Sequence, residues 1–141
     1  MMSGKKVSIR LFDNLLNMIA GYPPETCGMT GICSIQYVAE ADGGIYPCDF
    51  YCMDEYKLGN LNDMGLRELF ESERAQNFIK RSCRHLDECK ACKWYPVCRG
   101  GCMRYKDENG KYIYCGAFTR FMEHSYRGFV DIIRKLQSES R

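Results

Sequence analysis

The chain has 141 residues, 45% hydrophobic and 27% charged, which suits one globular domain burying about two-thirds of its unfolded surface. A net charge of +2 with acids and bases interspersed leaves no basic stripe, so no nucleic-acid partner is expected. The opening MMSGKKVSIRLFDNLL lacks an uninterrupted apolar core, and no run approaches about eighteen apolar residues. No signal peptide and no membrane span are predicted, and a cytoplasmic chain with reduced thiols follows as the expectation.

In chain order, residues 7–20 place Phe12, Leu15, Leu16 and Ile19 on one helical face, with Gly21 and then Pro23-Pro24 as the stop. Next comes ICSIQYVAEADGGIYPCDF, β-branched and aromatic on both sides of Ala41-Asp42-Gly43-Gly44, which predicts a hairpin with strands near 32–40 and 44–50. Asp63 is positioned to cap a helix over 64–71 with Leu66, Leu69 and Phe70 inward. Ser72 is positioned to cap another over 73–82 that buries Phe78 and Ile79. Residues 83–115 show little periodicity and predict loops and single turns. From 117 to 137, apolar residues from Phe118 to Leu136 recur at helical spacing, and the last four residues are expected to fray. The expected fold class is α+β: a single small irregular domain over 1–141. It divides into a leading helix (1–24), a hairpin segment (25–62), a helical and cysteine-loop segment (63–116) and a C-terminal amphipathic helix (117–141).

Ten cysteines stand at 27, 33, 48, 52, 83, 89, 92, 98, 102 and 115. That is well above ordinary usage and implies a core supplemented by cross-links or metal. The gaps read C-x5-C-x9-G-x4-C, then C-x2-C-x5-C-x3-C, then Cys115. A C-x2-C pair turns two sulfurs toward one centre, and the absence of histidine among these positions points to zinc or iron–sulfur ligation. Zinc ribbons present two similar knuckles, and this chain has one C-x2-C. Spacing therefore favours iron–sulfur over zinc, and zinc over disulfides, without excluding either. Lys90, Lys93, Arg99 and Arg104 are candidates to offset a cluster's negative charge, and Gly100 and Gly101 to bring backbone N–H groups close to sulfur. An ordinary solvated loop explains the same residues equally well.

Cys33, Gly43, Cys48, the run Cys89, Cys92, Cys98, Cys102 and the trailing Cys115 resemble the seven-cysteine pattern of the SPASM domain, the auxiliary-cluster domain of many radical SAM enzymes. With Cys27 and the wording GYPPETCGMTGIC, PCDF, LGNL and CKWYPVCRGGC, the chain is similar to the C-terminal part of anaerobic sulfatase-maturating enzymes. The resemblance implies two [4Fe–4S] clusters, the first on Cys27, Cys33, Cys48 and Cys102, the second on Cys89, Cys92, Cys98 and Cys115. It also implies an electron-transfer and substrate-docking role in turning a cysteine or serine of a sulfatase polypeptide into formylglycine. Asp49 matches the proposed base of that reaction, a task a carboxylate meets when desolvation raises its pKa; on residue type alone Asp49 is a turn cap.

The C-x3-C-x2-C that binds the radical-forming cluster is absent, because Glu55 follows the Cys48/Cys52 pair and Tyr105 follows the Cys98/Cys102 pair. The implied catalytic barrel is absent too, so S-adenosylmethionine binding is expected only in a barrel partner in cis. The chain alone is not expected to be an active enzyme, and its apolar helix faces predict self-association. A zinc-stabilised interaction module with all-cysteine sites and no redox role, or the SPASM domain of another peptide-modifying radical SAM enzyme, are the alternatives. Cys52 and Cys83 are expected to be small buried residues. Met29, Met53 and Met103 read as core filling, Trp94 and Tyr95 as cover over a cluster, and His85 and His124 as non-ligands.

Overall fold

The computed structural model describes residues 7–83 and 86–139, which leaves His85 outside the described residues. The first helix, α1 (Arg10–Ile19), buries Asn14, Leu15 and Met18, while Phe12 stays partly exposed on its flank. The chain then runs through a single 3₁₀ turn (Cys27–Met29) into a three-stranded antiparallel sheet in the order β1 (Val38–Ala39), β2 (Gly44–Tyr46) and β3 (Gly59–Asn60). Val38 pairs with Tyr46 and Ile45 with Gly59. The hairpin is where the β-branched and aromatic residues flanking Ala41-Asp42-Gly43-Gly44 put it, but its strands are much shorter than 32–40 and 44–50. Pro47 has no N–H to extend the ladder, and Asp49–Tyr51 coils into another 3₁₀ turn.

Helix α2 (Leu66–Glu71) starts at Gly65, not Asp63, because the Glu68 carboxylate reaches back to accept from the Gly65 N–H at 2.8 Å. Of its three expected inward residues only Leu69 is fully buried; Leu66 and Phe70 face solvent. Ser72 caps α3 (Glu73–Ser82) as predicted, its Oγ accepting from the Ala75 N–H at 3.3 Å. The cysteine-rich stretch holds two one-turn helices, α4 (Asp87–Lys90) and α5 (Tyr95–Cys98), and the chain ends in α6 (Cys115–Glu139). No helix among the described residues is long and apolar enough to cross a membrane.

Two small cores result. Ile35, Ile45, Leu58, Leu69, Ala75 and Phe78 join the sheet to α2 and α3. Leu15, Met18, Val97, Met122 and Phe129 join α1, α5 and α6, where Phe12 stacks on Phe121 at 6.2 Å and meets Phe129 edge-on at 5.9 Å. Each fully buried side chain contributes about 1.5–3 kcal/mol, and neither cluster is large, so these cores are thin for a chain of this size. Ile9, Leu11, Ile132 and Leu136 stay exposed at the outer ends of α1 and α6.

Candidate metal centres

The irregular segments carry the chemistry. A cavity of about 340 Å³ is lined by Cys27, Cys33, Cys48 and Cys102, together with Asp49, Tyr51 and Ser82. Cys27 opens a 3₁₀ turn, Cys33 precedes the first strand, Cys48 follows the second, and Cys102 precedes the turn Met103–Tyr105. A second cavity of about 170 Å³ is lined by Cys89, Cys92, Cys98 and Cys115. Its thiols come from α4, the bend after it, the end of α5 and the start of α6. Between Cys98 and Cys102 the chain reverses through three consecutive residues at positive φ, Arg99, Gly100 and Gly101, which carries the two neighbouring cysteines into different cavities.

The electrostatics follow the same division. Burial pushes the Cys33 thiol up, opposed by a hydrogen bond with Ser82, and Cys102 and Cys27 push it further. Burial pushes Cys48 up to about 11, with Asp49 and Cys27 adding to the rise. In the second cavity burial raises Cys98 and Cys89. The Gly100 N–H lowers Cys98, and neighbouring thiols of its own set raise it again.

The donor set is all sulfur, and among the described residues no three Cys, His, Asp or Glu side chains converge closely enough for one ion. The sulfurs rim cavities instead, which suits a polynuclear iron–sulfur group better than a single tetrahedral zinc. One further feature fits such a group. Trp94 lines the second cavity, and its Nε1 is the one buried side-chain nitrogen or oxygen among the described residues without a hydrogen-bond partner. Its backbone N–H donates to Cys92 Sγ at 3.4 Å. An indole donor beside a sulfur-rich group has acceptors to meet.

Other expectations fare differently. Asp49 lines the first cavity and accepts from Cys48 Sγ at 3.2 Å, but its side chain is exposed, so this chain by itself does not supply the desolvation a base would need. Lys90 pairs with Asp87 at 2.9 Å and Lys93 with Glu123 at 3.1 Å, while Arg104 lies over the Phe50 ring. These cations are engaged away from the thiols, whereas the Gly100 N–H does reach Cys98. Cys83 is exposed at the end of α3 rather than buried, and its Sγ donates to the Ile79 carbonyl at 3.4 Å. Cys52 donates to the Cys48 carbonyl, and neither of these cysteines lines a thiol cavity. His124 is exposed on α6, and Met53 is exposed while Met29 and Met103 pack on the two cores. Sequence reasoning missed Asn14 and Ser82, polar residues buried beside the first cavity's thiol loop.

Two cavities, each lined by four cysteines, sit on a small α+β frame, and the family comparison gives the class: the SPASM model, an iron–sulfur cluster-binding domain, matches residues 31–93. Residues 31–93 match the SPASM domain, and the chain is similar to anaerobic sulfatase-maturating enzymes. It is 40% identical to the cysteine-type enzyme of Clostridium perfringens (strain 13 / Type A), over 96% of this chain and 38% of that one. It is 46% identical to the cysteine-type enzyme of Clostridium novyi (strain NT), over 86% and 34%. The serine-type enzyme of Bacteroides thetaiotaomicron is 31% identical, over 92% and 33%. The chain thus spans little more than a third of the length of the curated relatives it matches. Among solved structures, "Native anSMEcpe with bound AdoMet and Cp18Cys peptide" superposes with a TM-score of 0.88 at 41% identity, covering 94% of this chain and 38% of that one.

Proposed function

We propose that this chain is the auxiliary-cluster module of a radical SAM sulfatase-maturating enzyme, holding one [4Fe–4S] cluster on Cys27, Cys33, Cys48 and Cys102 and another on Cys89, Cys92, Cys98 and Cys115. The observation that carries the reading is the sorting of eight thiols, four and four, between two cavities. When bound, such groups supply one-electron redox chemistry, the capacity needed to accept the electron released as a cysteine or serine side chain is oxidised to formylglycine. With four cysteines for each cluster no coordination position is left for substrate, so the role is electron transfer and not Lewis-acid catalysis.

This chain's own residues do three things. The loops 25–36, 48–51 and 98–105 line the first cavity and hold its four cysteines around it. Gly100 and Trp94 present backbone N–H donors to thiols of the second set. Asp49, exposed at the rim of the first cavity, takes a proton from the substrate side chain once a docked polypeptide and the barrel in cis desolvate it. Higher identity to the cysteine-type relatives than to the serine-type one supports a sulfatase cysteine as the target, in a cytoplasmic setting where thiols stay reduced.

Anaerobic reconstitution tests the reading: it predicts about eight irons per chain and a brown protein. Two zincs per chain, no visible absorbance and no iron uptake would establish the structural zinc module instead.

A further inference from the structure

Among the described residues only two polar side chains are buried, Asn14 at 1% and Ser82 at 2% exposure, and both act on the same short segment. Asn14 sits on the apolar face of α1. Its Oδ1 accepts from the Glu25 N–H at 2.7 Å and the Thr26 N–H at 3.1 Å, while its Nδ2 donates to the Arg10 carbonyl at 2.7 Å. Ser82, at the last turn of α3, accepts from the Cys33 N–H at 2.8 Å and donates to the Ile79 carbonyl at 2.6 Å. Thr26 and Ser82 themselves line the first cavity.

A buried polar group is retained at a cost unless its partners are met, and here they are met by backbone N–H groups that no regular element satisfies. Those N–H groups sit at both ends of the segment carrying Cys27 and Cys33. One anchor comes from the helix of one core, the other from a helix of the second core. We propose that Asn14 and Ser82 are positioning residues for the first cavity: together they clamp both ends of residues 26–33 and so fix the separation of Cys27 and Cys33. The clamp rests on reading that cavity as a cluster site, and the second cavity, built wholly from residues after 87, lies outside its reach.

The test compares an isosteric pair, Ser82→Thr, which keeps the hydroxyl, and Ser82→Val, which removes it, with Asn14→Leu alongside. Each protein is reconstituted anaerobically, and iron release to a chelator is followed with the reduction potentials of both sets. The unmodified protein should hold about eight irons. In Ser82→Val and Asn14→Leu, half of the iron should leave about 10- to 100-fold faster and one potential should move, the other half staying at the original rate. Ser82→Thr should restore the original rate. Because Thr and Val share a shape, any packing penalty is common to both and only the hydroxyl differs. Equal release from Ser82→Thr and Ser82→Val, or equal acceleration of both halves, overturns the clamp while leaving the two-cluster reading intact. An unmodified protein that takes up no iron overturns that reading instead.

Discussion

Replacing Gly31 by alanine tests how the first thiol loop is held against the turn that separates Cys98 from Cys102. Gly31 has φ +80, and a Cβ added there would lie 2.7 Å from the Arg99 carbonyl oxygen and 2.8 Å from the Arg99 Cβ. These are atoms of the main chain and its first side-chain carbon, so no rotamer change relieves the contact. Arg99 is itself fixed, at φ 50 with its N–H donating to the Tyr95 carbonyl at 2.9 Å. The left-handed conformation costs a residue with Cβ about 1–2 kcal/mol, and forcing extra volume into a packed contact costs about 1–3 kcal/mol more. Gly21→Ala is the internal control: φ is +91, yet nothing lies within 4 Å of the added Cβ, so only the conformational part, about 1–2 kcal/mol, applies. Urea denaturation followed by circular dichroism on anaerobically prepared protein should place Gly31→Ala about 1–3 kcal/mol below Gly21→Ala. Equal losses for the two variants would show that the loop and the 98–102 turn are not pressed together as described.

Cys98→Ser and Cys102→Ser differ by four positions yet should lose different halves of the iron, about four atoms each, the second cavity's in the first variant and the first cavity's in the other. Loss of the same half in both, read by iron analysis and electron paramagnetic resonance, would break the division. Leu69→Ala removes a side chain with no exposure from the core under the sheet and should cost about 2–5 kcal/mol in a denaturant titration, whereas Leu66→Ala, on the solvent side of the same helix, should cost little. Burial raises the Cys48 thiol from its ordinary 9.0 to about 11. The folded metal-free chain therefore keeps a proton that the unfolded chain has shed. That contribution is present below about pH 9 and is lost as pH rises toward about 11. The urea midpoint of metal-free protein should fall across that interval; a midpoint that stays level or rises would contradict the burial.

What was legible in the sequence followed local physics. Ser72 ahead of an amphipathic run predicted α3 and its cap, and the spacing from Phe118 to Leu136 predicted α6. The third strand, Gly59–Asn60, was not legible, since two residues of low β propensity gain their pairing only from the hairpin edge beside them. The cap at Gly65 was hidden because a glutamate three residues on supplies what Asp63 had been expected to give. Asn14 and Ser82 left no local trace at all. Their partners lie 11 and 49 positions away, and a polar residue on an apolar helix face reads as a surface position until the loop it holds is known. The sorting of Cys98 and Cys102 into separate cavities was implied by family resemblance and not by their spacing, which suits one shared centre equally well.

The two cavities are unequal in what they ask of the chain. Cys89 and Cys115 stand 26 positions apart, and the second cavity needs only α4, α5 and the start of α6. Cys27 and Cys102 stand 75 apart, so closing the first ring costs about 0.9 kcal/mol more chain entropy on loop length alone. That cost is modest. The larger demand is that the first cavity draws thiols from before the sheet, from between its second and third strands and from beyond α5, so it is complete only when both cores are docked. Thin cores cannot hold such a junction by apolar burial alone, and the two buried polar side chains sit where the two helices meet its loop. Metal gathered at the first cavity would therefore stabilise the arrangement of the whole fold, whereas metal at the second would stabilise one stretch of it.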